Sequence, residues 1–215
     1  MRVLYLHGFA SSARSSKAGF LKAKLAERGV TLESPDLNEP DFSTLTVTRM
    51  IRQVGDAIEA APDRSDPVAL IGSSLGAFVA VQVALERPSR VARLVLLAPA
   101  LDFGGGRMRD LEGGGLDQWK ASGKLDVFHY GYGRIVPVHY ELYADVRRYD
   151  SFGAALTMPV QVFLGRRDTL VDPETVERWC AARPHAELHL LDDDHQLLGS
   201  LDAIWRDMEP FLALG

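Results

Sequence analysis

The sequence predicts a doubly wound, mostly parallel α/β fold built on a six-stranded sheet. Three observations carry that expectation. Short apolar runs recur with little polar alternation, as strands covered on both faces require. Segments with helical apolar spacing separate these runs, the pattern of β-α-β units. No internal repeat or linker divides the 215 residues, so residues 1–215 read as one domain, long enough to bury about 70% of the unfolded chain's surface.

Val3 to Leu6 is the first strand, and it ends in His7-Gly8-Phe9 and a serine-rich loop. Ala18, Leu21 and Leu25 follow at helical spacing, with Gly29 as a C-cap. Val30 to Pro35 reads as a second, weaker strand leading into an acidic loop at Asp36 to Asp41. Val47, Met50, Ile51, Val54 and Ile58 mark an amphipathic helix that Pro62 to Pro67 breaks. The third strand, Val68 to Ile71, precedes an almost wholly apolar helix, Ala77 to Leu85, closed by Pro88. Val91 to Ala98 is the fourth strand. From Asp102 to Ser151 the texture changes to glycine clusters interleaved with aromatics. Val160 to Leu164 is a fifth strand; Asp172-Pro173 then caps a helix to about Ala182. Leu188 to Leu191 is a sixth strand with one wet face, as near a sheet edge. Leu197, Leu201, Ile204, Trp205, Met208 and Leu212 form the stripe of the last helix.

Composition narrows the function classes. A net charge of −5 without a basic cluster argues against nucleic acid or an anionic membrane as partner. The single cysteine, Cys180, excludes an intramolecular disulfide and a cysteine-based zinc site. His129 and His139 lack ligand spacing with carboxylates, so no metal is expected. No apolar run reaches the length of a membrane span and no secretory leader is apparent, which makes a cytoplasmic location the expectation.

The chemistry centres on Gly72-Ser73-Ser74-Leu75-Gly76, a Gly-x-Ser-x-Gly between an apolar strand and a buried helix. That context makes it a nucleophile elbow, with Ser74 strained and projecting. A Cβ at Gly72 or Gly76 would collide with the adjoining strand or helix. The Leu75 N–H, at the helix start, would face an oxyanion. A serine needs a base, and a histidine base needs a carboxylate. Sites in such sheets lie beyond the carboxyl ends of the strands. His185 and His189 sit at the wrong end or inside a strand, His129 and His139 in the irregular segment, and His7 beside the oxyanion loop, leaving His195. Asp168 stands directly past a strand end and is the expected acid, with Asp172 and Asp193 as alternatives.

The order Ser74, Asp168, His195 is that of the α/β-hydrolases, which the whole chain resembles. Gly165-x-x-Asp168 and Asp194-His195 match the family's acid and histidine motifs. The opening Leu4-Tyr5-Leu6-His7-Gly8-Phe9-Ala10-Ser11-Ser12, with Ser15 and Lys17, is similar to the small bacterial esterases called YqiA-like. The chain lacks the two leading strands of the larger family's sheet. The resemblance implies hydrolysis of a small-molecule short-chain acyl ester, no cofactor, and the Phe9 N–H, after His7-Gly8, as second oxyanion donor. Residues at about 102–151 fall where this fold inserts a cap, with Trp119 and Tyr132 as candidate pocket residues. The other reading of this segment is a glycine-rich surface loop whose aromatics fill a satellite core. The same triad would serve a thioesterase or an acyltransferase, and the fold also hosts non-catalytic binding proteins.

Overall fold

The computed structural model describes residues 1–60, 66–105 and 115–214. In chain order the strands are β1 (Arg2–Leu6), β2 (Leu32–Glu33), β3 (Val68–Ser73), β4 (Val91–Leu97), β5 (Lys124–His129), β6 (Arg134–His139), β7 (Val160–Gly165) and β8 (Ala186–Leu191). The principal helices are α1 (Ser16–Ala26), α2 (Val47–Glu59), α3 (Leu75–Glu86), α4 (Gly115–Ser122), α5 (Glu141–Val146), α6 (Pro173–Ala181) and α7 (Leu201–Leu212).

Six strands form one parallel sheet in the order β2-β1-β3-β4-β7-β8, as the sequence predicts. β1, β3, β4 and β7 occupy its middle, which is why their apolar runs are continuous and almost fully buried. β8 lies at the edge and keeps mostly half-buried residues, matching its alternation. The second strand is shorter than the sequence suggests. Pro35 offers no N–H, and only Leu32 and Glu33 pair with β1.

Strand order reverses at β1, because α1 carries the chain outward to β2 and α2 carries it back past β1 to β3. Right-handed crossovers put these two helices on opposite faces. α1 accordingly packs against α7, and α2 against α3. α3 is buried nearly all round, as its composition requires. The stripe of α7 is Ile204, Trp205, Met208 and Leu212. Leu197, expected on that helix, is buried ahead of it in a left-handed turn (φ 55°).

The irregular segment after β4 holds α4, an antiparallel hairpin of β5 and β6, and α5. Trp119 is fully buried there; its indole N–H donates to Val138 O (3.0 Å) and its ring meets Tyr140 edge-on. Gly106, Gly113 and Gly114 of the glycine clusters lie outside the described residues, as do residues 62–65 of the break before β3. No described helix is long and apolar enough to cross a membrane.

Candidate active site

β3 ends in a sharp turn at Ser74, one of the non-glycine residues at positive φ. Ser74 sits at φ 53°, ψ −115°, a strained conformation for a residue with a side chain. Its N–H is held by Leu97 O (2.9 Å), and its carbonyl accepts from Ala77 and Ala100. The turn closes only because two neighbours lack a Cβ. One at Gly72 would stand 2.5 Å from Ala77 Cα, and one at Gly76 2.1 Å from Leu6 O, both main chain. β1 therefore runs directly against the start of α3.

At the end of β1, His7 is buried and serves the backbone. Nδ1–H donates to Gly8 O (3.0 Å), and Nε2 accepts from the Leu37 N–H (3.0 Å), which assigns the tautomer. Gly8 lies against the elbow: a Cβ there would be 3.3 Å from Ser74 Cβ and 3.9 Å from Oγ. The loop beyond is pinned by Asn38 Nδ2 to Ser11 O (2.9 Å) and by the Tyr130 N–H to Ala10 O (2.8 Å). Among the described residues, neither the Phe9 nor the Leu75 N–H donates to a partner.

Asp168 follows β7, and His195 follows β8 on the adjacent edge. His195 Nδ1 lies 2.8 Å from Asp168 Oδ2, with the carboxylate side chain wholly buried. Asp168 Oδ1 accepts the N–H groups of Leu170 and Val171, both at 2.8 Å. Burial pushes this carboxyl upward, but the imidazole and those two N–H groups outweigh it and hold the pKa below its ordinary value. The bond to Nδ1 leaves Nε2 as the ring atom able to take a proton. Among the described residues no hydrogen bond joins His195 to Ser74 Oγ; such bonds are often long in unliganded enzymes. Asp172, the alternative acid, instead caps α6 through the Glu174 N–H and Thr175 Oγ1. Asp193 accepts the Asp194 N–H and shapes the loop.

A cleft of about 480 Å³, its open mouth included, runs from the loop after β4 to the loop after Asp168. Leu101, Phe103, Leu170 and Val171 make it apolar, with Asp172 and Thr175 also lining it. Its walls touch the elbow on one side, through Ala100, and Asp168 on the other, through Val171. Trp119 and Tyr132 are not among the residues that line it. Tyr132 stacks on His129 (3.7 Å between centroids). The apolar pair Leu170-Val171 in an otherwise polar loop is the sequence signal that could have located the cleft. No described group of three His, Cys, Asp or Glu side chains could hold a metal ion.

Lys17, in the first turn of α1, reaches the same site. Its side chain is 7% exposed, and Nζ donates to Gln196 O (3.0 Å) beside His195. Burial lowers its pKa from 10.5 to about 8, with Asp168, Asp194 and Asp193 pulling the other way.

Comparison with known proteins fits this geometry. The model of a family described as Uncharacterised protein family (UPF0227) matches residues 2–211. Lipase LipV of Mycobacterium tuberculosis (strain ATCC 25618 / H37Rv) is 32% identical over 114 residues, which make up 51% of this chain and only 41% of the lipase. Mouse alpha/beta hydrolase domain-containing protein 10 superposes with TM-score 0.81 at 18% identity, over 98% of this chain and 89% of its own. Est1E from Butyrivibrio proteoclasticus, with ferulic acid bound, gives 0.82 at 19% identity, over 98% and 87%.

Proposed function

We propose that this chain, which belongs to the UPF0227 family and has the α/β-hydrolase fold, is a serine hydrolase that cleaves carboxylic esters with short acyl chains. The observation that carries the reading is the buried Asp168 carboxylate 2.8 Å from the half-buried His195 imidazole, beyond the same strand ends as a serine held at φ 53°, ψ −115°. Ser74 attacks the acyl carbonyl as His195 Nε2 takes its proton. Asp168 fixes the Nδ1–H tautomer and stabilises the imidazolium. The Phe9 and Leu75 N–H groups receive the oxyanion, each such donor being worth about 3 kcal/mol in the transition state. His195 returns the proton to the leaving alcohol, and water then releases the acyl group without a cofactor.

The cleft between Phe103 and Leu170 supports a short acyl chain, since it is apolar, small and bonded to both elbow and acid. The bond from the Tyr130 N–H to Ala10 O, which ties the described part of the insertion to the oxyanion loop, supports reading residues at about 102–151 as a cap. The names of similar proteins fit the same chemistry: LipV is named a lipase, and an Est1E structure holds ferulic acid.

A fluorophosphonate probe tests the reading. It should label Ser74, as read by peptide mass spectrometry. Ser74→Ala should keep its fold, lose labelling and lose turnover of short acyl esters by roughly 10⁶. Retained turnover in that variant would end the assignment.

A further inference from the structure

We propose, resting on the hydrolase reading, that Lys17 is a positioning residue: its buried side chain ties the oxyanion segment to the loop that carries His195. The oxyanion donors and the base come from opposite ends of the chain, so something must fix their spacing. Residues 8–17 are in contact with both. At one end Gly8 lies so close to the elbow that an added Cβ would stand 3.3 Å from Ser74 Cβ, tighter than ordinary contact. In the middle, Asn38 and Tyr130 hold the carbonyls of Ser11 and Ala10, and Ser15 caps α1 by accepting the Ala18 N–H. At the other end Lys17, in the first turn of α1, reaches the Gln196 carbonyl 3.0 Å away.

The other ties of the histidine loop run to the turn after β7, where the Arg167 N–H donates to Asp193 O (3.0 Å) and the Arg167 side chain reaches Asp192, and not to the oxyanion segment. Gln196 N–H bonds locally to Asp194 Oδ1, and Asp193 Oδ1 takes the Asp194 N–H. Asp193 Oδ2 is buried with no hydrogen-bond partner among the described residues. Asp168, Asp193 and Asp194 all attract the ammonium. One cation thus faces three carboxylates and a carbonyl where the Asp168–His195 pair is held. A methionine would fill the same stem volume without the cost of a buried charge. Stability therefore gives no reason for an ammonium here, whereas alignment of the imidazole does, because a displacement of 1 Å can cost about a hundredfold in rate.

The test compares wild type, Lys17→Met, Lys17→Gln and Ser74→Ala. Lys17→Met should melt at or above the wild-type temperature, lose kcat by about 10- to 100-fold, and keep KM within a factor of about three. Its peptide spanning residues 192–198 should exchange amide hydrogen faster. Lys17→Gln, which can donate to the carbonyl without the charge, should recover part of both effects. Full kcat in Lys17→Met, a loss confined to KM, or activity and melting temperature falling together would overturn the proposal. Should the methionine variant not fold, the glutamine variant carries the same readouts. Turnover surviving in Ser74→Ala would instead refute the hydrolase reading, while the exchange data would still report whether the tether exists.

Discussion

Lys17 makes stability depend on pH in a direction opposite to that of a lysine in a favourable ion pair. In the unfolded chain its amine titrates at the ordinary value; in the fold, burial brings it from 10.5 down to about 8. Between those values the unfolded state holds a proton that the folded state has released, so stability rises with pH. The full drop corresponds to about 3 kcal/mol, and about 1.4 kcal/mol of it is recovered between pH 7 and pH 9. Above pH 9 two groups act the other way. Burial raises the Cys180 thiol from 9.0 to about 11 and also raises Tyr5, so the unfolded chain loses those protons first. Both remain in Lys17→Met, so the difference between the two proteins isolates Lys17. Urea unfolding followed by tryptophan fluorescence at half-unit steps from pH 7 to pH 9 measures it. The wild-type midpoint should gain about 0.5–1 M on that of Lys17→Met across the window. At pH 7 the variant should be the more stable by about 2 kcal/mol, after allowance for one lost hydrogen bond. A difference that stays flat from pH 7 to pH 9 would refute the reasoning.

Glycine substitutions should separate site from fold. Gly8→Ala asks Ser73 O and Ser74 Cβ to yield a few tenths of an ångström; the protein should fold with a stability loss near 1 kcal/mol and turn over esters at least about tenfold more slowly. Gly76→Ala drives a methyl into the Leu6 main chain, so a loss of about 3 kcal/mol or more, or insoluble protein, is expected from denaturation and soluble yield. Trp119→Ala empties the centre of the insertion's small core and should cost about 3–5 kcal/mol, read as a drop in melting temperature. Asp168→Asn should lower kcat by about 10⁴; since this carboxyl titrates below its ordinary value, wild type should lose stability relative to the variant as pH falls through that lowered pKa.

Local signals made most of the fold legible. The central strands are buried on both faces, and burial on both faces writes itself as a continuous apolar run. The elbow was legible because two glycines flank a serine between such a strand and an apolar helix. Asp168 and His195 could be chosen because strand ends are where α/β sheets place polar chemistry. What the residues did not reveal depends on pairing across the chain. β2 owes its two residues to a neighbour, not to its own pattern. The hairpin of β5 and β6 hides its alternation behind glycines and aromatics that pair with one another and, through His129, with the distant Phe42. Trp119 carries no mark that separates a pocket wall from a core filler; only its bond to Val138 O does so. Lys17 did leave a trace, since it shares the apolar stripe of α1 with Leu21 and Leu25, where a solvated lysine has no place.

That trace leads back to topology. Reversal of strand order at β1 puts α1 on the face opposite α2, and α7 comes to rest beside it. The loop that carries His195 precedes α7, so the first turn of α1 reaches it without any long excursion of chain. Two polar links follow from this packing, and they are not equivalent. Arg28 and Glu209 pair where water reaches both, and an exposed pair of this kind contributes about 0–1 kcal/mol. Lys17 is itself buried and bonds to the main chain next to the Asp168–His195 pair. If helix packing alone aligned the imidazole, breaking either link would have the same small effect. A large kinetic cost at Lys17 beside none at Arg28 would show that packing brings the loops together while one buried hydrogen bond sets their spacing.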